Sequence, residues 1–553
     1  MAKTENKQHI WNVFSSPTKK AFFSPDDFGE EEQLIAKTAE QFVQKEIIPQ
    51  IESIEQHDYA MTRRLFKQLG EVGLLGVEVA EEYGGFALGK KISGLIAEKM
   101  GYGGSFSVSF NIHVGVGTLP YVYFGTEQQK QTYLPKLVSG EWIGSYALTE
   151  PNAGSDALQA KTSATLTADR SSWVLNGEKQ WITNARIADV FVVFAKTTEG
   201  MTAFIVERGY PGVAVGPEEK KMGIKGSSTA TLILEDATIP VENVLGQVGK
   251  GHLVALNILN LARLKLAFAN IGTSKQAIEL SVNYSKERKQ FDQPIQQFAM
   301  IQEKLADMAI NVYGAESAAY RTAGLMDEQE AESDYIAKFA MECAINKVKS
   351  SETLGRIVDE AVQIHGGYGY MQEYDVERLY RDARISRIFE GTNEINRLTI
   401  AKALLGDDPS IQLTEKPNQR NEQFIHSAKQ LLFLGLKAFS DCGIQREEQE
   451  YLRLLADSMI DIYVMESAFL RTENSLAKQK DCQQLMTHML CEEGYRRVKS
   501  NILSSLASLD VNETVKQALL NDARTIDVPM YYNSILTKRQ IAQYVINSGK
   551  YPI

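Results

Sequence analysis

Glu390 closes a stretch with apolar positions at Ile385, Ile388 and Phe389, and Gly391 and Thr392 follow it directly. A carboxylate so placed faces a dry pocket, where burial raises its basicity, which is what a general base requires. Earlier in the same segment, Gln363 to Arg397, the pair Gly366 and Gly367 follows Gln363 and His365. Without Cβ atoms, such a pair lets backbone amides come close to a ligand and tolerates positive φ. Two further groups lie upstream. The turn-rich loop Tyr146 to Asp156, YALTEPNAGSD, carries hydroxyls at Thr149 and Ser155 that can meet a polar ligand. In KQWITN, Trp181 and Thr183 stand two residues apart, on one face of a strand, so an indole could lie against a flat ring while the hydroxyl reaches its heteroatom. Each group also has a plain structural reading: Glu390 paired with Arg384 or Arg387, a capped turn, a packed indole, and His365 as loop packing.

The elements that must hold these groups change period along the chain. A capping start at Ser24-Pro25-Asp26 leads into Leu34, Ile35, Ala39, Phe42, Val43 and Ile47, which predicts a helix ending near Pro49. Further helices are predicted over Leu65 to Leu75, Ser93 to Met100 and Tyr121 to Leu137, making residues 25–145 an N-terminal helical domain. Short β-branched and aromatic runs such as Val190 to Phe194, Thr202 to Val206 and Ala230 to Leu234, with turns such as Asn176-Gly177, predict a middle β-domain over 146–250. The helical period then returns over 251–405, the part that carries Glu390. A polar linker from Gly406 to Gln423 marks a boundary, and an extra helical domain follows over 421–553.

That last domain echoes the one before it. LADMAINVYGAESAAYRTA, from Leu305, aligns with LADSMIDIYVMESAFLRTE, from Leu455, with 10 of 19 residues identical at an offset of 150. Val348-Lys349-Ser350 recurs as Val498-Lys499-Ser500 in the same register. The copy has neither the glycine pair nor the Glu-Gly-Thr, so the chemistry is expected once per chain.

Length and composition, 553 residues with 44% hydrophobic and 23% charged, describe an ordinary globular chain with several domains. A net charge of −11 argues against a dominant nucleic-acid-binding role. Four cysteines without C-x-x-C spacing indicate a reducing compartment, and scattered histidines give no structural metal site. The first 20 residues lack the apolar core of a signal peptide and the arginines of a transit peptide, so a flexible or packing arm is expected there.

YALTEPNAGSD, KQWITN, ERKQFDQPI and QIHGGYGY followed by RDARISRIFEGTNEI occur in this order on a helix–sheet–helix chain. The chain thereby resembles the acyl-CoA dehydrogenase family over about residues 30 to 405. EKKMGIKGSSTA, NVLGQVGKG and the extra domain are most similar to its very-long-chain branch. The resemblance implies a mainly α fold with a central β-domain: a helical N-terminal domain, a small β-barrel-like middle domain, a C-terminal four-helix bundle and an extra helical C-terminal domain. It implies FAD as cofactor and α,β-desaturation of medium to very long fatty acyl-CoA in fatty acid β-oxidation, with Glu390 as the α-proton base and Arg263 beside it. Thr149, Ser155, Trp181, Thr183 and Thr392 match flavin-side positions. Arg288 and Phe291 match the segment that holds the other end of FAD, typically from a neighbouring subunit, and Gln363, Gly366 and Gly367 match the loop that receives it. Gln290 stands where many members carry Thr. Ser155 and Gly391 are also expected to meet substrate, and the base's backbone N–H the thioester carbonyl. No metal is implied.

The implied partners are fatty acyl-CoA, an electron-transferring flavoprotein as acceptor and a second copy of the chain in a homodimer, in which the extra domain replaces the second subunit pair of tetrameric relatives. A cytoplasmic location is expected, with peripheral membrane contact through the extra domain suggested by the run Leu431 to Leu436. Gly115 and Gly117 are expected to leave room for a deep acyl tunnel. The alternatives are an acyl-CoA oxidase that uses oxygen and an inactive scaffold of a β-oxidation assembly.

Overall fold

A computed structural model describes residues 22–329, 333–405, 417, 419–444, 447–476, 479–529 and 533–553. The N-terminal arm and the linker over 406–416 lie outside the described residues. Ser24 forms a reciprocal cap, its N–H donating to Asp27 Oδ2 at 2.7 Å while its Oγ accepts from Asp26 N. The Glu30–Phe42 helix follows and runs past Pro49 through irregular turns into a short helix, Ile51–Glu55. The segment predicted as one helix from Tyr121 to Leu137 is two, Leu119–Phe124 and Glu127–Val138. Gly125 leaves helical geometry (ψ 144°), and Thr126 starts a new capping box with Gln129.

Among the described residues the main sheet has eight strands, β1 (Gly144–Ala147), β2 (Ser163–Leu166), β3 (Ser172–Thr183), β4 (Val190–Thr197), β5 (Gly200–Glu207), β6 (Val213–Glu218), β7 (Thr229–Pro240) and β8 (Val244–Leu245). Their order is β6-β7-β3-β2-β4-β5-β8, with β1 running parallel to β4. Alternation along β4 shows both faces covered. Val190, Val192 and Phe194 join the helical core, whereas Phe191, Val193 and Ala195 belong to the sheet's own core with Trp173, Leu175, Phe204 and Leu232. Asn176-Gly177 is not a hairpin turn. It lies inside β3 (Ser172–Thr183) at a register shift against β7 (Thr229–Pro240), where Gly177 has φ 147° and a Cβ would meet Thr162 Cα at 2.8 Å. The same strand is irregular again between Lys179 and Ile182, and Trp181 adopts φ 59°, so Trp181 and Thr183 do not share a regular strand face as expected.

The bundle is built on the Gly251–Glu287 helix, which packs against the Lys90–Met100, Ala299–Asp327 and Ala340–His365 helices. Among the described residues it alone is long and apolar enough to cross a membrane, and 83% of its most apolar window is buried within the protein, as befits a core helix.

Side chains match the sequence echo pair by pair where the Ala299–Asp327 helix meets its copy, Gln449–Asn474. Arg321 Nη2 donates to Glu466 Oε2 at 2.8 Å, and Arg471 Nη1 to Glu316 Oε2 at 2.5 Å. Tyr313 meets Thr472 at 2.9 Å, and Tyr463 meets Thr322 at 2.7 Å. Each guanidinium also lies over the opposite tyrosine, at 4.7 and 4.8 Å from the ring centroids. Positions 313, 316, 321 and 322 therefore exchange partners with 463, 466, 471 and 472, the self-complementary pattern of a two-fold interface, formed here within one chain. The run Leu431 to Leu436 sits in the Arg420–Cys442 helix, with Leu431, Leu432 and Leu436 buried in the protein and Phe433 and Leu434 half-buried.

Candidate active site

Glu390 is the residue after the Arg384–Arg387 turn and Ile388-Phe389, and it lines the cavity enclosed with Val108, Ile112, Leu266 and Phe389. Its backbone is left-handed (φ 56°), as is that of Gly391 (φ 82°). For a residue with a Cβ this costs roughly 1–2 kcal/mol, so the surroundings must hold it. They do so through carbonyl oxygens. Arg263 Nε donates to the Glu390 carbonyl at 3.2 Å, and Asn396 Nδ2 and Lys347 Nζ donate to the Gly391 carbonyl at 2.8 and 2.7 Å. Arg263 is fixed in turn by Asn260 Oδ1 at 2.8 Å. Thr392 Oγ1 accepts the Ile395 N–H at 3.3 Å and caps the Asn393–Leu405 helix. Neither Arg384 nor Arg387 pairs with Glu390 here, and both are exposed.

Burial pushes the Glu390 carboxyl up to about 7, against the attraction of Arg263 and Lys347. Tyr146, on β1, is raised well above its ordinary value by burial and by Glu390, and among the described residues its buried hydroxyl has no hydrogen-bond partner.

Of the residues matched to flavin-side positions, Thr149, Trp181 and Thr183 lie close to one another. Gln180 N donates to the Thr149 carbonyl at 2.9 Å and Ser145 Oγ to the Thr183 carbonyl at 2.6 Å, which draws the YALTEP loop, Trp181 and Thr183 together. Glu150 anchors that loop. Burial alone would raise its carboxyl, yet Lys179 at 2.7 Å and the N–H groups of Lys161 and Thr162 hold it down at about 2. Trp181 is 57% exposed and Ser155 is exposed, so both are open to a ligand.

Arg288, Phe291, Gln363, Gly366 and Gly367 form a second group. Arg288 lies over the Tyr368 ring at 5.6 Å, and Phe291 and Asp292, both at positive φ, make a tight turn that leaves Phe291 87% exposed. A Cβ on Gly366 or Gly367 would meet nothing within 4 Å, so open space lies over both. Arg288 follows Arg263 along the long helix by about 37 Å at 1.5 Å per residue. His365 stacks on Tyr284 at 4.2 Å and donates from Nδ1 to the Ala361 carbonyl, as a packing residue does.

Two glycines do not have the role expected of them. Gly115 and Gly117 do not line the cavity; a Cβ on Gly115 would meet the Asn111 carbonyl oxygen at 2.6 Å and one on Gly117 the Gly144 backbone at 2.8 Å, so both serve close backbone packing. Gly101 and Gly104 line it instead. Lys347, Tyr146, Asn396 and Lys179 were not singled out from the sequence. The one available signal was a lysine inside the apolar helix segment Ala344 to Val348.

Family models match the chain in four pieces: the N-terminal domain of acyl-CoA dehydrogenase over 29–141, its middle domain over 145–237, its C-terminal domain over 249–405, and a further C-terminal-domain model over 431–522. A Bacillus subtilis (strain 168) protein named "Probable acyl-CoA dehydrogenase" is 46% identical over 97% of this chain and 97% of its own. The mitochondrial very long-chain specific acyl-CoA dehydrogenase of Rattus norvegicus is 36% identical over 84% of this chain and 78% of its own. The crystal structure of an acyl-CoA dehydrogenase complexed with FAD from Bacillus anthracis superposes with a TM-score of 0.93 at 45% identity, covering 98% of this chain and 99% of that one.

Proposed function

Since the chain belongs to the acyl-CoA dehydrogenase family, flavin-dependent oxidoreductases acting on acyl-CoA, we propose that it converts medium to very long fatty acyl-CoA to the trans-2-enoyl-CoA in fatty acid β-oxidation. The observation that carries this reading is Glu390, a carboxyl raised to about 7 that lines a cavity with apolar walls. Near neutral pH it is ionised often enough to act and basic enough to take the α-proton of a thioester. Arg263 and Lys347 hold the carbonyls of Glu390 and Gly391 and so steady the turn whose Glu390 N–H is the proposed donor to the carbonyl oxygen on which charge develops.

The residues present fit FAD. Open space above Gly366 and Gly367, the exposed Trp181 ring and the exposed Phe291 beside Arg288 suit a long ligand with flat rings and a pyrophosphate. FAD, when bound, accepts the hydride from Cβ. Thr149, Ser155, Trp181 and Thr183 would hold its flavin end, and Arg288, Phe291, Gln363, Gly366 and Gly367 its other end. The separation of Arg263, beside the base, from Arg288 along one helix supports a homodimer in which each FAD bridges two subunits. The reciprocal pairs within the chain support the extra domain as the stand-in for a second subunit pair. An electron-transferring flavoprotein is the proposed acceptor and the cytoplasm the proposed location.

Anaerobic titration of the flavin-loaded protein with a graded series of saturated acyl-CoA thioesters tests the reading. Bleaching of the flavin absorbance is expected, fastest at one chain length. Glu390→Gln should keep FAD and lose bleaching; full bleaching at the normal rate would remove Glu390 from the role of base. Stoichiometric peroxide in air, with no electron transfer to a flavoprotein acceptor, would favour the oxidase.

A further inference from the structure

Lys347 lies in the Ala340–His365 helix and is fully buried. Its Nζ donates to the Gly391 carbonyl at 2.7 Å and to Asn393 Oδ1 at 2.8 Å, two neutral acceptors. The other deeply buried lysines, Lys90, Lys179, Lys265 and Lys429, each contact a carboxylate within ion-pair distance. Among the described residues Lys347 has no such contact. A buried ammonium without an ion pair is expensive to keep, and two neutral hydrogen bonds at one turn could be supplied by an amide.

The charges nearest it explain its presence. Lys347 acts electrostatically with Glu390 first, then with Arg263, Glu394 and Glu352. From the other side, Glu390 is faced by Arg263 on the long helix, Lys347 on its neighbour and Tyr146 on β1. Both cations thus stand behind the carboxylate, and neither reaches it with a hydrogen bond: Arg263 donates to the Glu390 carbonyl and Lys347 to that of Gly391. The carboxylate oxygens stay free for a substrate proton, while its charge is balanced from the backbone side.

We propose that Lys347 is a positioning residue for the base, pinning the strained Glu390–Gly391 turn and supplying positive charge that keeps the carboxylate ionised near neutral pH. The proposal rests on Glu390 being the base. Burial brings Lys347 down to about 7 and the Glu390 carboxyl up to about 7, each shift opposed in part by the other group's charge. Removing the cation leaves burial to push Glu390 higher, and the acid limb of the reaction moves to higher pH.

Rapid anaerobic bleaching of the flavin-loaded enzyme by one saturated acyl-CoA, followed from pH 5.5 to 9, measures this. Lys347→Gln keeps a hydrogen-bond donor at the turn and removes the charge. Its acid limb should move up by on the order of one pH unit, roughly a tenfold slower reaction below the limb. Lys347→Arg keeps the charge in an altered geometry, so its plateau rate should fall while its acid limb stays within a few tenths of the parent. A Lys347→Gln enzyme with the parent limb and plateau overturns the proposal, and so does a Lys347→Arg limb displaced upward by a full pH unit, a result that holds even if the neutral variant does not fold. If the parent enzyme bleaches and Glu390→Gln does not, such a failure concerns Lys347 alone. If Glu390→Gln bleaches normally, the assignment of the base fails instead.

Discussion

Replacing Glu390 by Gln should stabilise the protein, and only at alkaline pH. The carboxyl titrates near 7 in the fold, against 4.5 for an ordinary glutamate. The folded chain therefore holds a proton between those values that the unfolded chain releases, so this group's contribution to stability falls as pH rises from 4.5 to 7 and stays low above 7. The difference corresponds to about 3 kcal/mol, with the attraction of Arg263 and Lys347 already counted in the value. Gln has nothing to titrate. Urea unfolding of the flavin-loaded parent and Glu390→Gln proteins, with FAD in excess, should give similar midpoints at pH 5. At pH 8.5 the variant should gain up to about 1 M. Comparing the gain between the two pH values cancels any change in packing or backbone strain, which acts at both. An equal gain at both pH values, or none at pH 8.5, would refute the claim that the carboxylate is held ionised at the expense of the fold.

Other perturbations test the remaining framework. Arg321→Met and Arg471→Met each leave a buried glutamate short of a partner, and each should destabilise the docking of the extra domain by about 3–5 kcal/mol; limited proteolysis and urea unfolding read this. Gly367→Val should fold, because a Cβ there meets nothing, and should lose FAD, read as the ratio of flavin to protein absorbance after gel filtration. A fully loaded Gly367→Val enzyme would remove that turn from the cofactor site.

The local features were readable because their signals are local. Glu390, Gly391 and Thr392 are consecutive, and the apolar positions before them announce a dry pocket. Asn176-Gly177 shows where such reading stops. The pair reads as a turn between strands, but a positive φ serves a bulge as well as a hairpin, and only the pairing of β3 with β7 distinguishes them. Gly115 and Gly117 carry the same ambiguity, since a missing Cβ makes room for a ligand or for another backbone, and here it is backbone. Lys347 meets Gly391 only because two helices pack side by side, which nothing in its own neighbourhood in sequence reports. The repeat was legible as identities at a fixed offset, while the exchange of partners across it became visible only in three dimensions.

That exchange changes how the protein responds to dilution and to mutation. Two separate subunits joined through such a face come apart as concentration falls, but a covalent connection holds the two halves at a high effective concentration, so this contact persists at any dilution. In a symmetric pair one altered codon damages the interface twice. Here a change at Arg321 leaves Arg471 untouched, so one codon alters one of the two ion pairs and the other survives.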